Sequence, residues 1–128
     1  MPNFRPNVLD AEELSPTARK VLRGTILIAL RNRATTLHVL PFAEFYKRVG
    51  LPASTTKTQL IELLNEARKA LGLLEKKLKG EDDFVTPTGS TPVFSAIHII
   101  NSRIEFSLST PMYMLSENDL NRLLPCGA

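Results

Sequence analysis

The stretch from Thr55 to Leu78, TTKTQLIELLNEARKALGLLEKKL, constrains the fold most, because it carries the strongest helical periodicity in the chain. Leu60, Leu63, Leu64, Ala67 and Leu71 fall on one side of a helical wheel, an apolar stripe that has to face a core. Thr58, Glu62, Asn65 and Lys69 lie opposite. At the entrance Ser54, Thr55, Thr56 and Lys57 place hydroxyls and a cation beside the unpaired amides of a first helical turn. Two readings of that entrance stand side by side: Thr56 and Gln59 form a capping box, or the hydroxyls and Lys57 receive a phosphate. Gly72 either ends this helix or interrupts it. Residues 73–80 read as entry into a strand in preference to two more helical turns.

Residues 1–14 hold two prolines, two asparagines and the acids Asp10, Glu12 and Glu13 without a sustained period, and read as an arm. Ser15-Pro16 then opens the first helix, a capping serine followed by proline where a missing N–H costs nothing. The helix should extend to about Asn32, with Ala18, Val21, Leu22, Ile26, Ala29 and Leu30 on its apolar face. Arg31 and Arg33 complement the negative end of its dipole. Arg19, Lys20 and Arg23 sit early, where the dipole disfavours cations, so something other than the helix must account for them. Phosphate or an acidic partner surface would do so, and plain solvation is the competing reading.

Thr35 to Leu40 reads as a short strand ended by Pro41. Phe42, Phe45, Tyr46 and Val49 then give a short amphipathic helix closed by Gly50, where a left-handed terminus is wanted. Leu51-Pro52-Ala53-Ser54 turns the chain into the long helix, the layout of a helix-turn-helix. Glu81 to Pro92 reads as a loop. Phe94 to Leu108 is a hairpin about Asn101-Ser102, pairing Ile100 with Arg103, Ile99 with Ile104, His98 with Glu105 and Ile97 with Phe106. One face of it is apolar, and the other carries His98, Arg103, Glu105 and Ser107. Ser116 to Asp119 has the form of a capping box for a last helix through Leu124, closed by Pro125.

With 128 residues, 43% of them hydrophobic, the chain can bury one sizeable core without disulfide or metal. The expected organisation is an arm over 1–14, a single domain over 15–124 and a tail over 125–128. The one cysteine, Cys126, forms no internal bridge. No signal-like N-terminus and no apolar run longer than Ile26 to Leu30 occur, so a soluble cytoplasmic protein without a membrane role is expected. A net charge of +3 permits a polyanionic partner without demanding one. His38 and His98 fall in different strands and Cys126 in the tail, so no ligand-spaced cluster exists. Gly72, Gly80 and Gly89 lack the spacing of a phosphate loop. His98 opposite Glu105 is better read as a cross-strand pair than as half of a catalytic dyad. No enzymatic activity, cofactor, metal or small-molecule substrate is expected.

The order helix, strand, helix-turn-helix, hairpin resembles the winged-helix fold, an α+β winged helix-turn-helix with about four to five helices, a small antiparallel sheet and a β-hairpin wing. More narrowly, LSPTARKVLRGTILIAL, LHVLPFAEFYKRVGL, LIELLNEARKAL and IHIINSRIEFSLS before PMYML resemble the N-terminal winged-helix domain of plasmid replication initiators. The resemblance spans residues 14–115. It implies a domain that mainly dimerises and makes supporting backbone contacts with double-stranded DNA. In that family a second, C-terminal winged helix reads the origin repeats, and this chain stops where that domain would begin. The DNA-contacting set expected here is Arg19, Lys20, Arg23, Thr55, Thr56, Lys57, Thr58, Lys69 and Arg103. Dimers are expected to form by edge pairing of the hairpin's second strand or of the strand at Thr36 to Leu40, burying Phe94 and Ile100. Glu62 and Glu66, on the exposed part of the long helix, would repel phosphates. They favour either the alternative, a winged helix that binds protein and not DNA, or a DNA contact through the backbone only.

Overall fold

Ser15 and Pro16 open the first helix as their chemistry dictates. The Ser15 hydroxyl accepts the Ala18 N–H at 3.2 Å, and Pro16 takes the first helical position. This helix, α1, covers Pro16–Leu30 in a computed structural model that describes residues 5–11, 14–75 and 89–124. It stops two residues short of Asn32, whose side-chain amide donates to the Ile28 carbonyl at 2.9 Å and so competes with the helical backbone bond. After a short strand, β2 (His38–Pro41), comes α2 (Phe42–Val49), closed by Gly50 at φ 80°. The next helix, α3, covers Lys57–Ala67, and the capping box between Thr56 and Gln59 is present at both of its bonds, 3.1 and 2.9 Å.

Leu71 does not continue the α3 stripe, because the chain leaves the helix at Arg68 and enters a strand. Two long-range bonds hold this exit: the Arg68 guanidinium donates to the Ile97 carbonyl at 2.8 Å, and the Ala70 carbonyl accepts the Val93 N–H at 3.3 Å. Gly72 therefore lies inside β3 (Leu71–Glu75), in agreement with strand entry after the helix.

The segment expected to be an arm contains β1 (Arg5–Asp10), antiparallel to β3, with β4 (Gly89–Pro92) on the other side of β3. Its strand character was hidden in the sequence because the register slips between Pro6 and Val8, and an irregularity of this kind breaks the two-residue alternation. Leu9, Ala11 and Leu14 are buried, so this segment belongs to the core. Of the loop expected over Glu81 to Pro92, residues 89–92 are β4 and the remainder lies outside the described residues. So do Glu12, Glu13, residues 76–80 and the tail with Pro125 and Cys126.

The second sheet holds β5 (Phe94–Ile100) and β6 (Arg103–Leu108), in the order β2-β6-β5. Its hairpin register matches all four pairs read from the sequence, and Asn101 takes the left-handed φ of 56° that the tight turn needs. Ile97, Ile104, Phe106 and Leu108 are buried, whereas His98 and Arg103 are exposed. A 3-10 turn over Thr110–Met114 leads to α4 (Glu117–Leu123), whose capping box pairs Ser116 with Asp119. The architecture is α+β, and the described residues form four α-helices, the small three-stranded antiparallel sheet of the hairpin and β2, and a second three-stranded sheet built from β1, β3 and β4. No described helix is long and apolar enough to cross a membrane.

The core closes round α1. Phe45, Phe106, Leu22, Ile26, Leu60 and Met112 are fully buried, each contributing roughly 1.5–3 kcal/mol of transfer free energy. His38 is buried among them at 4% exposure, stacked on Phe106 with ring centroids 5.1 Å apart, its Nε2 3.0 Å from the Tyr113 hydroxyl. Burial holds its imidazole below the ordinary value of 6.5. A depressed folded-state value means that the unfolded chain takes up the proton first. Stability from this group is therefore complete above about pH 6.5 and falls as pH drops through the folded-state value. Urea midpoints recorded from pH 8 to 5 should show that acid-side loss, and His38→Gln should shrink it. Equal slopes for the two proteins would mean that the loss arises elsewhere.

Candidate functional site

The cations of α1 have an internal explanation that the sequence did not offer. Arg19 donates through Nε to the Ala11 carbonyl at 3.1 Å, and Arg23 to the Leu124 carbonyl at 3.2 Å, with its Nη2 also bonded to Asn121. The ends of two neighbouring segments are thus tied to one helix. Lys20 reaches across to the C-terminus of α2. A methyl group built on Gly50 would stand 2.6 Å from its Cε and 3.1 Å from its Nζ. Its ammonium therefore lies at the negative end of the α2 dipole, and a residue larger than glycine at position 50 would both displace it and strain the φ of 80°. A cation early in α1 is disfavoured by that helix and favoured by the next.

The hydroxyls at the entrance of α3 are likewise engaged. Thr55 donates to the Pro52 carbonyl at 2.7 Å, and Thr56 accepts the Gln59 amide at 3.1 Å. Lys57 and Thr58 are exposed on the first turn, and neither side chain makes a hydrogen bond or ion pair within the described residues. Lys69 is exposed just past the far end of α3, roughly 16 Å away along the axis of an eleven-residue helix. Arg103 is exposed at the hairpin tip, which docks on the N-terminus of α2 through the Phe42 N–H and the Ser102 carbonyl at 3.1 Å. Lys57 instead opens α3, a different element. The structure does not gather the nine expected residues into one patch.

Comparison with protein-family models, with curated proteins and with solved structures finds no match for this chain. The reading of the surface rests on its own chemistry.

Glu62 is exposed on α3 as expected, but Glu66 is not. Its carboxylate accepts the Ser15 N–H at 3.2 Å and the Ser15 hydroxyl at 3.3 Å, so it joins the start of α1 to the end of α3 and does not face a partner. Arg33 and Arg31, just past the end of α1, show the same pattern. Arg33 donates to the Leu30 carbonyl at 3.0 Å, to the Leu115 carbonyl at 2.6 Å and to the Tyr113 carbonyl. Arg31 holds both oxygens of Glu117, at 3.0 and 3.3 Å, and that bond raises the guanidinium's pKa while drawing the Glu117 carboxyl below its ordinary 4.5. His98 and Glu105 meet at 3.0 Å as an exposed cross-strand pair. Among the described residues no three His, Cys, Asp or Glu side chains gather as a metal site would require.

The outward face of the second sheet is what sequence reasoning underweighted. Val39 pairs with Glu105, which pairs with His98, so these three share that face. Leu37, Val39 and Ile100 are exposed at 49%, 43% and 45%, an unusual concentration of bare apolar area on so small a sheet. The available signal was the unbroken apolar run at Ile99-Ile100, of which only one residue can point inward. Phe94 does not contribute, being 6% exposed and edge-on to Phe106.

If the arginines act as ties between segments, Arg33→Ala should lower unfolding free energy by about 1–2 kcal/mol, since several bonds from a charged donor are lost at once. Lys57→Ala should leave it within about 0.5 kcal/mol. Urea denaturation distinguishes the two, and equal effects would remove the structural role assigned to Arg33.

Proposed function

We infer that this chain is a non-enzymatic winged-helix module, similar to the N-terminal domain of plasmid replication initiators. Its main work is self-association, and its contact with double-stranded DNA is confined to the backbone. The element order α1, β2, α2, α3, β5, β6 with β2 joined to the hairpin supports the winged-helix reading. The sheet β1-β3-β4 is an addition to that plan.

The observation that carries self-association is the pair of sheet edges. The order β2-β6-β5 makes β6 the central strand, so the hairpin's second strand is not an edge and the expectation of pairing through it falls. On β5, Arg68 already occupies the Ile97 carbonyl. On β2, which carries exposed Val39 and is preceded by exposed Leu37, a second copy could add a strand and cover apolar surface at the same time. Light scattering at tens of micromolar, on the order expected for a specific interface, should give the dimer mass, and Val39→Lys should give the monomer. A monomeric parent protein would count against the proposal.

For DNA the contributing cations are Lys57, Lys69 and Arg103, with Thr58 beside the first. Arg19 and Arg23 are committed to carbonyls and leave the set. Exposed Glu62 favours the second reading, a protein-binding winged helix that does not contact DNA. The two readings differ in salt response. Titrations of a random duplex should show a slope that falls by about one unit with each of Lys57→Ala and Arg103→Ala, and weakening that is alike for all sequences. A salt-independent response would leave only the protein-binding reading.

A further inference from the structure

Helices α1 and α2 pack tightly at Gly24, where a methyl group would stand 2.8 Å from Val49 Cγ1 and 2.9 Å from its Cα. Beside that contact lies an open groove of about 380 Å³, lined by Leu27 and Ile28 of α1, by Arg31 just past its end and by Glu44, Lys47 and Arg48 of α2. Its floor is apolar: Ile28 is buried and Leu27 half-buried. Its walls are cationic, three basic side chains against one carboxylate. Lys47 makes no hydrogen bond or ion pair through its side chain within the described residues. The other two already hold carboxylates in solvent-exposed pairs, Arg48 with Glu44 at 2.9 Å and Arg31 with Glu117 at 3.0 Å. Exposed pairs of this kind are weak, so an incoming carboxylate can replace either partner at little cost.

We propose that this groove binds an acidic peptide segment of a partner protein, one apolar side chain resting on Leu27 and Ile28 and flanking carboxylates meeting Lys47, Arg48 and Arg31. The charge of the walls selects the acidic partner, and the floor selects a peptide over a nucleic acid. A recessed apolar surface offers a phosphate nothing. The volume lies at the low end of the roughly 300–1,000 Å³ typical of small-ligand sites, which suits one anchoring side chain and its neighbours. The proposal does not depend on whether the chain dimerises or touches DNA.

The test uses the full chain and fluorescent decapeptides that carry three Asp or Glu residues round a central Leu or Phe, titrated by anisotropy at low salt. Saturable binding is expected, with amide shift changes centred on Leu27 and Lys47. Lys47→Glu, a change at an exposed side chain, should weaken it by about tenfold or more while leaving the thermal melt in place. Replacing the peptide's central residue by alanine should weaken binding to the parent protein and matter less in Leu27→Ala, which separates anchoring from bulk charge. No saturation into the millimolar range, or an unchanged affinity in Lys47→Glu, would overturn the assignment. So would displacement of the peptide by a random duplex that shifts the same amides, since the groove would then belong to nucleic acid.

Discussion

Helix α1 is apolar round too much of its circumference to lie on a surface. Ala18, Val21, Leu22, Thr25, Ile26, Ile28, Ala29 and Leu30 are all buried, and Thr25 is tolerated because its hydroxyl donates to the Val21 carbonyl at 2.6 Å. A helix of this kind has to be covered from several directions. Helices α2, α3 and α4 and strand β6 all lie against it. Gly24 sets how near α2 can come, and the apolar face of the hairpin supplies Ile104 and Phe106 to the same core. The remaining elements are arranged so that the buried positions of this one helix stay dry.

Short elements packed round a central helix leave many chain ends, each with carbonyls that lack a helical or sheet partner. Here arginine meets much of that need. Arg19, Arg23, Arg33 and Arg68 donate to carbonyls at Ala11, Leu124, Leu30, Tyr113, Leu115 and Ile97, most of them far away in sequence. A planar guanidinium with five donors suits such a task better than an ammonium does. The consequence for function is direct. Much of the arginine charge is engaged within the fold, and among the described residues Lys47, Lys57, Lys69 and Arg103 face outward without an ion pair.

The outward surfaces differ in character. The face with Val39, His98 and Glu105 is half apolar and ends in an edge strand, which suits a second copy of the same sheet. The α1–α2 groove is small and cationic, which suits a narrow acidic chain. The entrance of α3 carries Lys57 and Thr58 beside hydroxyls that are already capping. These sites lie on different elements, so occupation of one leaves the chemistry of the others intact.

The sequence by itself determined the local structure wherever one short-range preference acts alone. The serine and threonine caps, the glycine that ends α2 and the turn at Asn101-Ser102 were legible because each depends on a residue and its near neighbours. The hairpin register was legible too, since a slip of one residue would turn Ile97, Ile104 and Phe106 outward. Contacts between distant segments decided the rest, and those exist only in the tertiary structure. Strand β1 was hidden by its irregularity at Pro6 and exists because β3 offers it an edge. The end of α3 lies at Ala67 because Arg68 and Ala70 bond to the strand region near Val93 and Ile97. The internal partners of Arg19, Lys20, Arg23 and Glu66 were hidden for the same reason: a charge in a sequence shows its sign, and only the fold brings up the carbonyl, helix end or amide beside it.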